Sequence, residues 1–128
     1  MNQNIGYRDM HVYKLAKQLA VEIHKMTLTL PKFELYEQGS QIRRSSKSIL
    51  ANIVEGFARR RYKNEFLHHI TIAIAECDET QVHLELLFET CSLKDETKYI
   101  NFKEETNKLA RMLNSFFHSI LKQHISEK

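Results

Sequence analysis

Apolar residues recur every three or four positions along most of the chain, and a few interruptions divide it into four amphipathic stretches. Val12, Leu15 with Ala16, Leu19, Ile23 and Met26 predict a first helix over about 9–28, with Asp9 as its cap. Pro31 breaks the pattern, and "LPKFELYEQG" reads as the connection to a second helix over about 36–60. Gly39 falls close to that helix's start, since a helix interior would lose about 1 kcal/mol to it. A short break around 62–64, with Asn64 as a candidate cap, precedes a third helix over about 64–91. Its seam is the most regular in the chain: Phe66, Ile70, Ala73, Cys77, Thr80, Leu84, Leu87, Cys91. After "SLKDET", the residues Phe102, Thr106, Leu109, Leu113, Phe116 and Ile120 predict a fourth helix over about 96–123. Long helices joined by short loops predict an all-α fold, an antiparallel up-down-up-down four-helix bundle forming one domain over 1–128.

The second stretch departs from this regularity. Ile42, Ser46, Ile49, Ile53 and Gly56 form a mostly apolar stripe, suited to the bundle core. One step around the helix, Gln41, Ser45, Ser48, Asn52 and Glu55 form a wholly polar stripe at the same spacing. Such a stripe fits a closed polar network against another helix or a neighbouring subunit, because a half-satisfied network would be costly. Simple solvation and a small-ligand site are the alternatives. Leu67, Ile72, Ile74, Val82 and Leu86 on the third helix, with Phe117, Leu121 and Ile125 on the fourth, lie off the seams. A bundle buries one stripe per helix, so this surplus points to a homo-oligomer.

Composition sharpens the fold class. Apolar residues make up 42% of the chain, enough for a core, while three glycines and one proline are too few for the turns of a sandwich or barrel. No N-terminal apolar run of signal-peptide type and no stretch of about 18 uninterrupted apolar residues is present, so a soluble, cytoplasmic protein without a membrane partner is expected. The two cysteines, Cys77 and Cys91, lie roughly 21 Å apart if both are on one helix, beyond the ~7 Å that a disulfide spans. Reduced, buried thiols are expected, with an intermolecular bond as the alternative.

Net charge is only +3, but it is unevenly placed. Residues 41–63 carry Arg43, Arg44, Lys47, Arg59, Arg60, Arg61 and Lys63 against Glu55 alone. Residues 65–91 carry Glu65, Glu76, Asp78, Glu79, Glu85 and Glu89 and no Lys or Arg. The first group suits phosphate contacts, salt-dependent and largely blind to sequence, so Arg43, Arg44, Lys47, Arg59, Arg60 and Arg61 are candidate nucleic-acid-binding residues. The alternative is that they pair with the acidic third helix.

The segment "SQIRRSSKSILANIVEG" resembles the signature of the proteins encoded by intervening sequences in bacterial 23S rRNA genes. Ser40, Gln41, Arg43, Arg44, Ser48, Asn52, Glu55 and Gly56 fall on that pattern. The resemblance extends through "YRDMHVYKLAKQLAVEIHKMT" upstream and "NEFLHHITIAIAECDETQVHLELL" downstream, covering roughly residues 7–88. It implies a basic homopentameric ring of four-helix bundles. The fold is similar to that of the accessory proteins of diversity-generating retroelements, which implies RNA or DNA and a protein such as a reverse transcriptase as partners. Leu50 stands where the family commonly has proline, which leaves the second helix unkinked, and "AECDE" replaces a frequent Gly-Ser before the acidic position matched by Glu79.

Catalytic chemistry finds little support. Glu65 and His68 form one Glu-x-x-His pair, half of a di-iron signature; Glu79 and His83 are spaced one residue too far for the second. Arg61 before His68, and Arg111 before His118, loosely match the arginine–histidine motif of helical ribonucleases of the HEPN type. No phosphate-binding glycine loop, no Ser/His/Asp arrangement and no Cys-x-x-Cys occurs. The expectation is a non-enzymatic protein without metal or cofactor, binding nucleic acid through its basic surface. A scaffold that docks a protein partner on its apolar flanks is the alternative.

Overall fold

The computed structural model describes residues 6–123. Four α-helices are present, and no strand occurs among the described residues: α1 His11–Thr27, α2 Gln38–Ala58, α3 Lys63–Glu89 and α4 Glu96–Gln123. Short 3-10 turns, Tyr7–Asp9 and Lys32–Leu35, precede α1 and α2. Contacts between neighbours step forward along one helix and backward along the next, so sequential helices lie antiparallel. Ser45 meets Thr80 while Asn52 meets His69 across α2 and α3. Arg43 reaches Thr27 while Lys47 reaches His24 across α1 and α2. Phe66 meets Phe116 while Phe88 stacks on Tyr99 across α3 and α4.

The periodic seams form one core. Val12, Leu15, Leu19, Ile23 and Met26 from α1 close on Ile42, Ile49 and Ile53 from α2, with Phe66, Ile70, Leu84 and Leu87 from α3 and Leu109, Leu113 and Ile120 from α4. Phe66 meets Phe116 edge-on at a centroid distance of 5.5 Å beneath Gly56, whose missing side chain lets α3 approach. The buried threonines Thr80 and Thr106 return their hydroxyls to the carbonyls of Glu76 and Phe102, so each satisfies itself within its own helix.

Several helix ends differ from the sequence reading. Asp9 does not cap α1: its carboxylate accepts the Gly6 N–H at 3.2 Å, closing the 3-10 turn, and Met10 occupies the cap position without a side-chain bond. Asn64 lies inside the first turn of α3, and Tyr62 takes its cap position. Asp95 does cap α4, accepting the Lys98 N–H at 3.0 Å. Cys91 is neither helical nor buried. It follows the end of α3 with φ 66°, the left-handed conformation that a chain reversal at a helix C-terminus needs and that glycine adopts without penalty. Its N–H reaches Phe88 O at 3.0 Å, and the Leu93 N–H reaches back to Leu87 O at 2.9 Å. A side chain in this conformation costs about 1 kcal/mol. Cys91→Gly is therefore expected to stabilise the fold by about that amount in urea denaturation, and a loss of stability would show that the thiol makes a compensating contact.

The surplus apolar residues divide. Leu67, Ile74 and Phe117 pack against the core of their own chain, because α3 is flanked by both α2 and α4 and buries more than one stripe. Ile72 is half-buried, Val82, Leu86 and Leu121 are exposed, and Ile125 lies outside the described residues.

Candidate nucleic-acid interface and the polar seam between α2 and α3

The polar stripe of α2 faces α3 in its central part. Ser45 is fully buried, and its hydroxyl lies 2.8 Å from that of Thr80 and 3.3 Å from Ile42 O, while Thr80 Oγ1 lies 2.8 Å from Glu76 O, so the two hydroxyls are joined to each other and to backbone carbonyls. Asn52 donates to Ser48 O at 2.9 Å and accepts from His69 Nδ1 at 3.0 Å, which fixes the proton of that ring on Nδ1. At the start of α2, Gln38 donates to His83 Nδ1, leaving the ring's Nε2 facing the Glu79 carboxylate at 3.6 Å. The two ends of the stripe are solvated: Gln41 is exposed, and Glu55 is exposed beside Arg59 at 3.3 Å. One helix thus carries two seams because α2 packs its apolar side into the core and its polar side against a second helix.

The six candidate basic residues do not form one surface. Arg43 turns inward, donating to Thr27 Oγ1 at 3.0 Å and to Leu35 O at 2.5 Å, and so ties α1 and the Lys32–Leu35 turn to α2. Arg44 bridges Glu79 at 2.6 Å and Glu76 at 3.4 Å, and Arg59 bridges Glu65 at 3.0 Å as well as Glu55. These two arginines answer the acidic third helix, as the pairing alternative holds. Lys47 is exposed, 3.2 Å from His24 Nδ1. Arg60 lies over the Phe57 ring, 4.0 Å from its centroid, and donates to Phe57 O; Arg61 stands 5.7 Å from the Tyr62 ring centroid. Arg61 and Tyr62 are exposed.

The pairs leave a mark on the carboxyls. Burial, and then a hydrogen bond with Glu79, push Glu76 above the ordinary glutamate value, against the pull of Ser48 and Arg44. Glu79 is held below it, first by the bond with Glu76 and then by Arg44. The two act oppositely on stability. Glu79, depressed in the fold, contributes stability present above its ordinary value and lost as pH falls through the folded one; Glu76, raised, is relieved as pH falls. Relative to wild type, Glu79→Gln is expected to lose stability less steeply below about pH 4.5, the ordinary glutamate value. Parallel melting curves for the two proteins down to about pH 3 would refute the Arg44–Glu79 engagement. The Cys77 thiol, fully buried, is pushed up to about 12 by that burial, with Asp78 and Glu76 adding to it, so it stays protonated.

The sequence reading missed Glu34. It is buried in the turn before α2, where its carboxylate accepts the Gln38 N–H at 3.2 Å and the Ser92 hydroxyl at 2.5 Å. It therefore joins the start of α2 to the α3–α4 connection, and a carboxylate at a helix N-terminus is well placed electrostatically. Nothing in "KFELYEQG" separates it from a solvated loop acid. Among the described residues no group of three or more His, Cys, Asp or Glu could hold a metal ion, and Glu65 of the Glu-x-x-His pair faces Arg59. His68 and His118 are exposed, as is Arg111 two turns before His118 on α4. No described helix is long and apolar enough to cross a membrane.

Comparison with known proteins agrees with this architecture. A protein of unknown function from the S23 ribosomal protein family of Bacteroides thetaiotaomicron, solved by crystallography, is 27% identical and superposes with a TM-score of 0.76. That match covers 84% of this chain and 95% of the other. No curated protein matches. The family described as 23S rRNA-intervening sequence protein matches residues 8–115, which include α1, α2, α3 and most of α4 with the whole polar seam. The chain belongs to the 23S rRNA-intervening sequence protein family.

Proposed function

We propose that this protein is a non-enzymatic, self-associating helical bundle that binds the phosphate backbone of RNA or DNA at the α2–α3 turn. One observation carries the reading: Arg60, Arg61 and Lys63 fall within four residues, no acid lies between 56 and 64, and Arg61 and Tyr62 are exposed. Basic side chains beside an exposed aromatic ring suit a backbone contact with some stacking on unpaired bases. Arg44 and Arg59 are paired with carboxylates and Arg43 turns inward, so these three stand outside this footprint. Copies brought together by self-association would present several such turns at once, raising avidity without a new contact.

Filter binding of a generic RNA and a generic duplex DNA tests this. Wild-type affinity is expected to fall steeply between about 50 and 200 mM salt, and each true contact removed should flatten the salt slope by about one unit. Arg60→Glu/Arg61→Glu/Lys63→Glu should lose binding while keeping wild-type secondary structure. Arg44→Ala should leave the slope unchanged. Absence of wild-type binding at the lower salt concentration sinks the reading.

A second reading has its own observation. At the other end of α2, Leu28, Phe33 and Tyr36 are 62%, 59% and 80% exposed, and Phe33 and Tyr36 share one side of a 3-10 turn held by Glu34 and Arg43. Failure of nucleic-acid binding would favour a protein partner docking on that rigid apolar end.

A further inference from the structure

The six acids of α3 divide evenly. Glu65, Glu76 and Glu79 answer Arg59 and Arg44 within the chain. Asp78, Glu85 and Glu89 have no basic partner among the described residues, and they recur on one outward face with Val82 and Leu86, which are 51% and 44% exposed. This stripe reads acid, valine, acid with leucine, acid.

A complementary surface lies elsewhere on the same chain. Between α1 and α2 runs a groove of about 370 Å³, lined by Lys17, Lys25 and Lys47 together with the apolar Val21 and Leu50. No acid lines it; Glu22, 3.8 Å from Lys25, is the nearest acid paired to a lining lysine. Val21 is 43% exposed, with Lys17 and Lys25 four residues to either side. Lys17 and Lys25 stand about 12 Å apart along α1, and Asp78 and Glu85 about 10 Å apart along α3, so the charges can register while the valines meet.

We infer that the Asp78–Glu89 stripe of α3 docks into the α1–α2 groove of a second copy of this chain. The inference rests on the self-association named above and assigns its surfaces. The argument for a second copy, rather than an unrelated protein, is that both halves of the contact are on one chain with opposite charge and matching apolar centres. The halves occupy different faces, so the contact is heterologous: it repeats head to tail and either closes into a ring or runs on as a filament.

Charge reversal with rescue tests this on the full chain. Mass is measured by light scattering after gel filtration, and circular dichroism confirms the fold. Wild type is expected to be assembled. Lys17→Glu/Lys25→Glu and Asp78→Lys/Glu85→Lys should each be folded monomers at the same concentration. The chain carrying all four substitutions has both halves reversed and should assemble again. As a second measurement, mild oxidation of a Val21→Cys/Val82→Cys/Cys91→Ser chain should give a disulfide-linked ladder. Wild-type assembly that survives both reversals, or an assembled cysteine variant without a ladder, overturns these surfaces and leaves self-association standing. A four-fold variant that folds but stays monomeric overturns the charge pairing. A wild type that is monomeric throughout overturns self-association itself.

Discussion

Arg43→Ala is expected to lower the unfolding free energy by about 3 kcal/mol, making this arginine a structural clamp rather than a phosphate contact. Its guanidinium donates to Thr27 Oγ1 and to Leu35 O, joining a buried side chain to a half-buried turn. Thr27 is fully buried, and its own proton is engaged with His24 O at 2.7 Å. Hydrogen bonds from a charged donor contribute about 1.5–3 kcal/mol each, and removing the donor leaves the buried Thr27 acceptor behind, so the effect exceeds that of trimming an exposed arginine. In a domain of this size the loss corresponds to a melting temperature roughly 10 °C lower. Arg43→Lys should recover part of it, since one ammonium can replace one of two divergent bonds but lacks the planar fork. Salt dependence of nucleic-acid binding, measured on folded Arg43→Ala, should keep the wild-type slope. A melting temperature within about 2 °C of wild type, together with a flattened slope, would reverse the assignment.

Which parts of this molecule could be read from the chain follows from how far each signal reaches. The seam residues repeat at the helical period, and periodicity is local, so Ile42, Ile49, Ile70 and Leu109 could be placed in the core without knowing their neighbours. The polar stripe was equally visible, but its partners Thr80 and His69 sit on a helix whose pattern reads as apolar, so only packing reveals which helix it meets. The basic residues show the limit most clearly. Arg43, Arg44 and Lys47 look alike in sequence, yet one is internal, one is ion-paired and one is exposed, because a few tens of degrees around α2 change which neighbour each reaches. Short-range chemistry at the ends of elements was the least legible. Glu34 and Arg43 meet the backbone and side chains of loops, whose paths no periodic pattern records.

Gly39→Ala is the sharpest test of that corner, because two physical effects predict opposite signs. Gly39 lies in the first turns of α2, where alanine would favour the helix by about 1 kcal/mol on intrinsic propensity. A Cβ at this position would stand only 2.3 Å from the carbonyl oxygen of Glu34 and 3.1 Å from its carbonyl carbon. That backbone has little room to yield. The Glu34 carboxylate is bonded to the Gln38 N–H and the Ser92 hydroxyl, the next carbonyl, Leu35 O, accepts from Arg43, and Glu34 O itself accepts the Glu37 N–H at 3.3 Å. Relief would have to come from moving the whole turn against α2 and the α3–α4 connection. Overpacking of this kind costs about 1–3 kcal/mol, and against rigid backbone the upper part of that range applies, so sterics outweigh propensity. The expected net result is a loss of about 2 kcal/mol in urea denaturation with an unchanged m-value. Amide hydrogen exchange should show the damage as faster exchange at Gln38 and around Ser92, where the Glu34 bonds are released, with α4 unaffected. A Gly39→Ala protein as stable as wild type or more so would mean that the turn does not press on α2, and the anchoring role given to Glu34 and Arg43 would fall with it.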